Sequence, residues 1–231
     1  KSSILIKRFE ELAYLNPTIT INFENEQDGT KKSFHYDGGI KDFVLTLTKK
    51  DKITEVIYFR EETETDNEKF EVEVAVCYDT GYTENSLSFV NNIHTIDGGT
   101  HESGFKAGLS KAIINYINKE MKLKENIKVS GEDVREGLNA IISVKLGDPQ
   151  FEGQTKGKLG SSFVKPIIQK ITYEVLGRYF EEHPNEAKLI ANKSIDAARG
   201  RLAAKKAREL TRKQTKMSIG TLPGKLADCQ S

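Results

Sequence analysis

The chain has 231 residues, and although 30% are charged, 35 basic and 34 acidic side chains leave a formal net charge of only +1. At roughly 150 residues per domain this is one large domain or two small ones, with enough chain to bury a core. No apolar run approaches the about 20 residues that span a bilayer, the charged start excludes a secretory signal, and the two distant cysteines, Cys77 and Cys229, show no metal-ligand spacing and read as reduced thiols.

The first segment, Ile4 to Leu15, carries apolar residues at helical spacing (Leu5, Phe9, Leu12, Ala13) and is ended by Asn16-Pro17. Thr18 to Phe23 alternates as a strand, Asp28-Gly29 is a hairpin signal, and Lys32 to Tyr36 returns as the partner. Gly38-Gly39 breaks the chain before a short helix over Ile40 to Thr48. Val56 to Arg60 reads as a strand, and the acidic stretch Glu61 to Lys69 as a solvated hairpin loop. Phe70, Val72, Val74, Val76 and Tyr78 then share one face of the clearest strand. Asp79-Thr80-Gly81 turns and Glu84 to Val90 returns beside it, an antiparallel meander with one buried face.

Asp97-Gly98-Gly99-Thr100 opens a helix to about Lys119, with Thr100 as N-cap and a stripe of Phe105, Leu109, Ala112, Ile113, Tyr116 and Ile117. Glu132 to Leu138 is a short helix or turn, and Asn139 to Leu146 a strand. A glycine-rich loop, Gly147 to Gly160, leads into a helix over Ser161 to Glu181. After His183-Pro184-Asn185 comes the longest helix, about Asn185 to Lys216, with a narrow seam of Ala191, Ile195, Ala198 and Leu202. From Glu186 to Lys216 ten basic residues oppose three acidic ones, so the near-zero net charge hides a strongly basic helix after an acidic body.

Three features carry candidate chemistry. The loop Asp148 to Leu159 follows a strand and precedes a helix, and its lysine can reach an anion as a flexible point charge. It lacks the GxxxxGK[ST] pattern of a P-loop, and a solvated surface loop is the plainer reading of the residues alone. Asp97, His101 and Glu102 lie close in sequence, but a helix start explains them better than a metal site. His35, His94 and His183 lack partner spacing and read as structural or surface residues. The basic helix either tracks phosphates or is a solvated face.

Several segments together are more specific. Leu12-Ala13-Tyr14-Leu15-Asn16, Phe34 to Ile40, Ile96-Asp97-Gly98-Gly99-Thr100-His101-Glu102-Ser103-Gly104-Phe105, Glu132 to Leu138, Gln154-Thr155-Lys156 and Leu222 to Asp228 resemble, in order and separation, the ATPase subunits of bacterial type IIA topoisomerases, DNA gyrase and topoisomerase IV. The resemblance covers nearly the whole chain. It implies an α+β fold, a ribosomal protein S5 domain 2-like transducer domain whose mainly antiparallel sheet is backed by helices, with a long C-terminal helix. Residues 1–16 would end the GHKL ATP-binding domain, 17–184 form the transducer, 185–217 its basic helix, and 218–231 a linker toward the Toprim domain. Both ends thus read as cut from something longer.

Carried over residue by residue, Gln154 and Lys156 match the family's loop that contacts the ATP γ-phosphate, with Lys156 as the catalytic cation and Gln154 as a sensor. Lys106 matches a basic position that contacts DNA phosphates. The resemblance implies ATP and Mg²⁺ as cofactors of the full-length enzyme, with neither held tightly by this chain alone. It implies DNA, a second copy in the ATP-bound state and the DNA-cleaving A-type subunit (A2B2) as partners, no membrane, and a cytoplasmic location. The family's general-base glutamate, Mg²⁺-binding asparagine and adenine-binding aspartate fall upstream of Lys1, so the chain alone is expected to be inactive. A free-standing nucleic-acid-binding module and a structural dimerisation element are the competing readings.

Overall fold

The computed structural model describes residues 2–65, 68–121 and 127–220. The first turns make helix α1 (Ser2–Leu15), the hairpin β1 (Ile21–Asn25) and β2 (Thr30–Phe34), and helix α2 (Ile40–Leu47). Gly29, at φ 72°, supplies the left-handed residue that the β1–β2 turn needs.

A five-stranded sheet follows, built from β3 (Ile57–Thr65), β4 (Glu68–Tyr78), β5 (Asn85–Val90), β6 (Ile93–His94) and β7 (Leu138–Lys145) in the order β3-β4-β7-β5-β6. The meander expected from the sequence does not form. β7 inserts between β4 and β5, antiparallel to the first and parallel to the second, so the sheet is mixed. The reason lies in composition. Leu138 to Val144 is an unbroken buried run, which only a central strand covered on both faces accommodates. A parallel neighbour then requires a long crossover, which runs from β6 through α3 (Thr100–Glu120) and α4 (Gly131–Val134). The end of β7 is keyed by Asn139, which donates to Asp79 Oδ2 at 2.9 Å and accepts from Asn85 Nδ2 at 3.0 Å.

Where it is described, the acidic stretch is likewise no loop. Glu61 to Thr65 continues β3 and pairs with β4 as far as Thr65 opposite Glu68. Its charges are tolerated because they are partly solvated and paired: Glu62 meets Arg60 at 3.4 Å and Glu61 meets Arg178 at 3.8 Å.

Two cores flank the sheet. On one face Phe70, Val72, Val74, Val76 and Tyr78 pack with Phe105, Leu109 and Ile113 of α3 and with Ile168 and Leu176 of α5 (Val164–Glu182). On the other, Ala75, Cys77, Phe89 and Ile141 meet Tyr14 and Leu15 of α1 and Ile40, Phe43 and Val44 of α2. Tyr14 stacks on Tyr36 and Phe43 at 3.6 and 4.7 Å between ring centroids, joining two of the motifs that suggested the family.

Helix α6 (Pro184–Gly220) begins at the proline, whose missing N–H costs nothing there. Its seam buries Ala191, Ile195 and Ala198, but Leu202 is exposed, as is every residue from Arg199 to Lys213. Arg201 marks the departure: its guanidinium holds both Asp133 oxygens at 2.8 Å. The Leu222 to Asp228 motif and Cys229 lie outside the described residues.

Candidate functional site

The loop between β7 and α5 folds into a small hairpin of its own, β8 (Phe151–Glu152) and β9 (Lys158–Leu159). Gln154, Thr155 and Lys156 form its tip, and all three are exposed. The tip turns on Gly153 at φ 81° and on Lys156 itself at φ 54°, a conformation disfavoured for a residue with a Cβ. Lys156 N–H closes the turn on the Gly153 carbonyl at 3.4 Å. Among the described residues no carboxylate pairs with Lys156. Its ammonium lies 5.9 Å from the centroid of the Phe151 ring, a loose cation–π contact that leaves the charge available. Lys158, by contrast, is paired with Glu152 at 2.9 Å.

The hairpin is mounted on the start of α3. Asp97 N–H donates to the Gly157 carbonyl at 2.9 Å and Leu159 N–H to the Gly98 carbonyl at 3.1 Å, and Gly99 bridges Leu159 in parallel fashion. A Cβ on Gly99 would lie 2.5 Å from Leu159 N, so only glycine admits this approach. Two segments more than fifty residues apart are thus one structural unit, which their separate sequence signals did not reveal. The N-cap differs from expectation. Gly99 (φ 144°) caps α3 with no side-chain bond, and Thr100 is already its first helical residue. Thr100 Oγ1 is enclosed without a hydrogen-bond partner among the described residues. The mount against Leu159 takes the geometry that a threonine cap would need.

Lys106, one turn further along α3, is half-buried. Its Nζ lies 2.6 Å from Glu102 and 2.7 Å from Glu84, and Arg135 binds the other Glu84 oxygen at 2.9 Å. Burial works against the Lys106 charge, but the bonds to Glu102 and Glu84 outweigh it and raise its pKa. Burial likewise pushes the Glu84 carboxyl up, and Lys106 and Arg135 more than reverse this. Beneath the cluster runs a polar chain missed in the sequence. Ser88 Oγ reaches Glu102 at 3.2 Å and Thr95 Oγ1 at 2.7 Å, and Thr95 Oγ1 meets His101 Nε2 at 3.0 Å. His101 is fully buried and its Nδ1 has no partner among the described residues. Burial depresses its pKa to about 4, so the ring is neutral at pH 7. The short helix α4 is closed by a reciprocal capping box between Ser130 and Asp133, which fixes the segment that delivers Arg135.

Gln154, Lys156 and Lys106 therefore fall in two adjoining places: an unpaired cation and an amide at a hairpin tip, and a neutralised lysine near the base of that hairpin. No His, Cys, Asp and Glu group suited to a metal occurs among the described residues.

The model of the DNA gyrase B family matches residues 39–210. The DNA gyrase B protein of Campylobacter jejuni is 60% identical over 230 residues, an alignment covering 99% of this chain and 29% of that protein. The chain thus spans under a third of the length of this relative. The 43K ATPase domain of Thermus thermophilus gyrase B, solved in complex with an aminocoumarin, superposes with a TM-score of 0.79 at 35% identity, covering 91% of this chain and 56% of that one. The topoisomerase IV ATP-binding domain of Francisella tularensis gives 0.72 at 28%, covering 87% and 54%. A family match across most of the sequence, with the same fold behind it, means that the chain belongs to the DNA gyrase B family.

Proposed function

We propose that this chain is the transducer region of an ATP-dependent type IIA DNA topoisomerase, coupling nucleotide turnover to DNA strand passage. Residues 1–16 would end the ATP-binding domain, 17–184 form the S5-like transducer, 185–217 its basic helix, and 218–231 lead toward a Toprim domain. ATP with Mg²⁺ supplies the phosphoryl group when bound to the full-length protein. The tip residues fit the terminal phosphate: Lys156 offers a cation that no carboxylate of the described residues neutralises, and Gln154 an amide donor. Lys156 stabilises charge on the phosphoryl oxygens, and Gln154 reports its presence. Because the tip is mounted on α3 through main-chain bonds, a change at the tip is passed to the sheet and to α6. Lys106 contacts DNA phosphates by exchanging Glu84 and Glu102 for them, so it positions DNA without reading bases. DNA, a second copy and an A-type subunit are the partners, in the cytoplasm.

The observation that carries this reading is Lys156, paired with no carboxylate among the described residues, at an exposed, left-handed turn. The test is ATP hydrolysis by the full-length protein with Lys156→Ala, with nucleotide binding as the control. Turnover should fall on the order of a hundredfold while nucleotide still binds, the scale of losing one preorganised charge. Unchanged turnover would return the hairpin to a surface feature and bring forward the DNA-binding or structural readings.

A further inference from the structure

Glu102 touches both halves of the site. Its Oε1 takes Lys106 Nζ at 2.6 Å. Its Oε2 accepts from Ser88 Oγ at 3.2 Å and lies so close to Gly98 that a Cβ there would sit 2.5 Å from it. Gly98, at φ 70°, carries the carbonyl that receives Leu159 N–H from the Lys156 hairpin. One carboxylate thus stands between the cation on α3 and the backbone on which the hairpin is hung. Its side chain is only 20% exposed, and a carboxylate in so dry a place holds its position because it is neutralised. If another anion takes Lys106, the charge on Glu102 is left uncompensated, and turning toward water relieves that cost. The buttress against Gly98 goes with it.

We propose that Glu102 is a positioning residue that couples Lys106 to the hairpin carrying Lys156: a phosphate that captures Lys106 releases Glu102, and the Gly98–Gly99 mount loosens. This rests on the reading of Lys106 as a phosphate contact. Glu84 provides the internal control. It binds the same ammonium at 2.7 Å, but its other oxygen is held by Arg135, and the atoms that crowd a Cβ on Gly98 are those of Glu102.

Amide hydrogen exchange on this chain, with and without a short DNA duplex at low salt, tests the coupling. The duplex should speed exchange at the Asp97 and Leu159 amides by roughly three- to tenfold, the loss of one ordinary hydrogen bond. Glu102→Gln, which keeps the shape but has no charge to be left uncompensated, should keep the slow exchange with and without DNA. Glu102→Asp, which keeps the charge but withdraws it from Gly98, should loosen the mount without DNA, and it serves if the glutamine variant does not fold. Glu84→Gln should leave free exchange as in the unaltered chain. The coupling is overturned if the duplex speeds these amides in Glu102→Gln as it does in the unaltered chain, if Glu102→Asp leaves them unchanged, or if Glu84→Gln reproduces the loosening expected of Glu102→Asp. Duplex affinity of Lys106→Gln separates the two levels. Undiminished affinity sinks the phosphate reading and the proposal with it, whereas lowered affinity with an unresponsive hairpin in the unaltered chain sinks the coupling alone.

Discussion

His101 illustrates how one residue's surroundings set its chemistry. Besides its contact with the ring, Thr95 Oγ1 meets Ser88 Oγ at 2.7 Å and donates to the Ser88 carbonyl at 2.9 Å. Of the two ring nitrogens of His101, Nε2 meets Thr95 Oγ1 at 3.0 Å and Nδ1 has no partner among the described residues. Protonating Nδ1 would bury a charge, so the folded pKa lies near 4 against an ordinary 6.5. The unfolded chain takes up the proton first, so this residue's contribution is intact above pH 6.5 and is lost as pH falls toward 4. The loss should be on the order of 3 kcal/mol. Urea midpoints measured from about pH 7 to about pH 4.5 should fall more steeply for the unaltered chain than for His101→Gln, since other titrating groups are common to both. Equal slopes would mean that the ring is hydrated. Nothing in the spacing of Asp97, His101 and Glu102 showed that His101 is fully buried while Glu102 reaches Lys106 and Ser88.

Among the elements, the contact of α3 with α5 is set by glycines. A Cβ on Gly104 would lie 2.6 Å from the Lys165 carbonyl oxygen, and one on Gly108 2.6 Å from that of Gln169 and 2.8 Å from Thr172 Cβ. The helix backbones therefore touch, with no side chain between them to give way. Gly108→Ala should destabilise by about 1–3 kcal/mol through overpacking, even though alanine is the better helix former. Gly177 of α5 has open space around it, so Gly177→Ala should instead stabilise by about 0.5–1 kcal/mol. Denaturant unfolding of the two variants compares the effects directly. If both alanines stabilised, the close packing of α3 on α5 would be wrong. Helix periodicity revealed both helices, but not this contact, because glycine adds nothing to an apolar stripe.

The whole molecule is electrically lopsided: a body with an excess of acid and a helix with ten basic and three acidic residues between Glu186 and Lys216. From Arg199 to Lys213 that helix is exposed, and Arg201, Lys205, Arg208 and Arg212 line one groove at spacings of four, three and four. In the proposed DNA role, such a row along one face would follow successive phosphates of a duplex. Replacing Lys205, Arg208 and Arg212 by Gln should reduce the slope of log affinity against log salt by about two to three. An unchanged slope would place the phosphate contacts elsewhere.

By itself the sequence determined the character of most elements, because periodicity and breakers act locally: the strand Phe70 to Tyr78, the helix after Gly99, the proline start of the last helix, and the loop holding Gln154 and Lys156. Its motifs also pointed to the family. Only the tertiary structure decided that Leu138 to Lys145 separates two strands adjacent in sequence, that Glu61 to Thr65 is strand, and that the Gly98–Gly99 turn carries the Lys156 hairpin. Strand order and main-chain pairing across more than fifty residues depend on which surfaces are buried together, and local patterns do not record that choice.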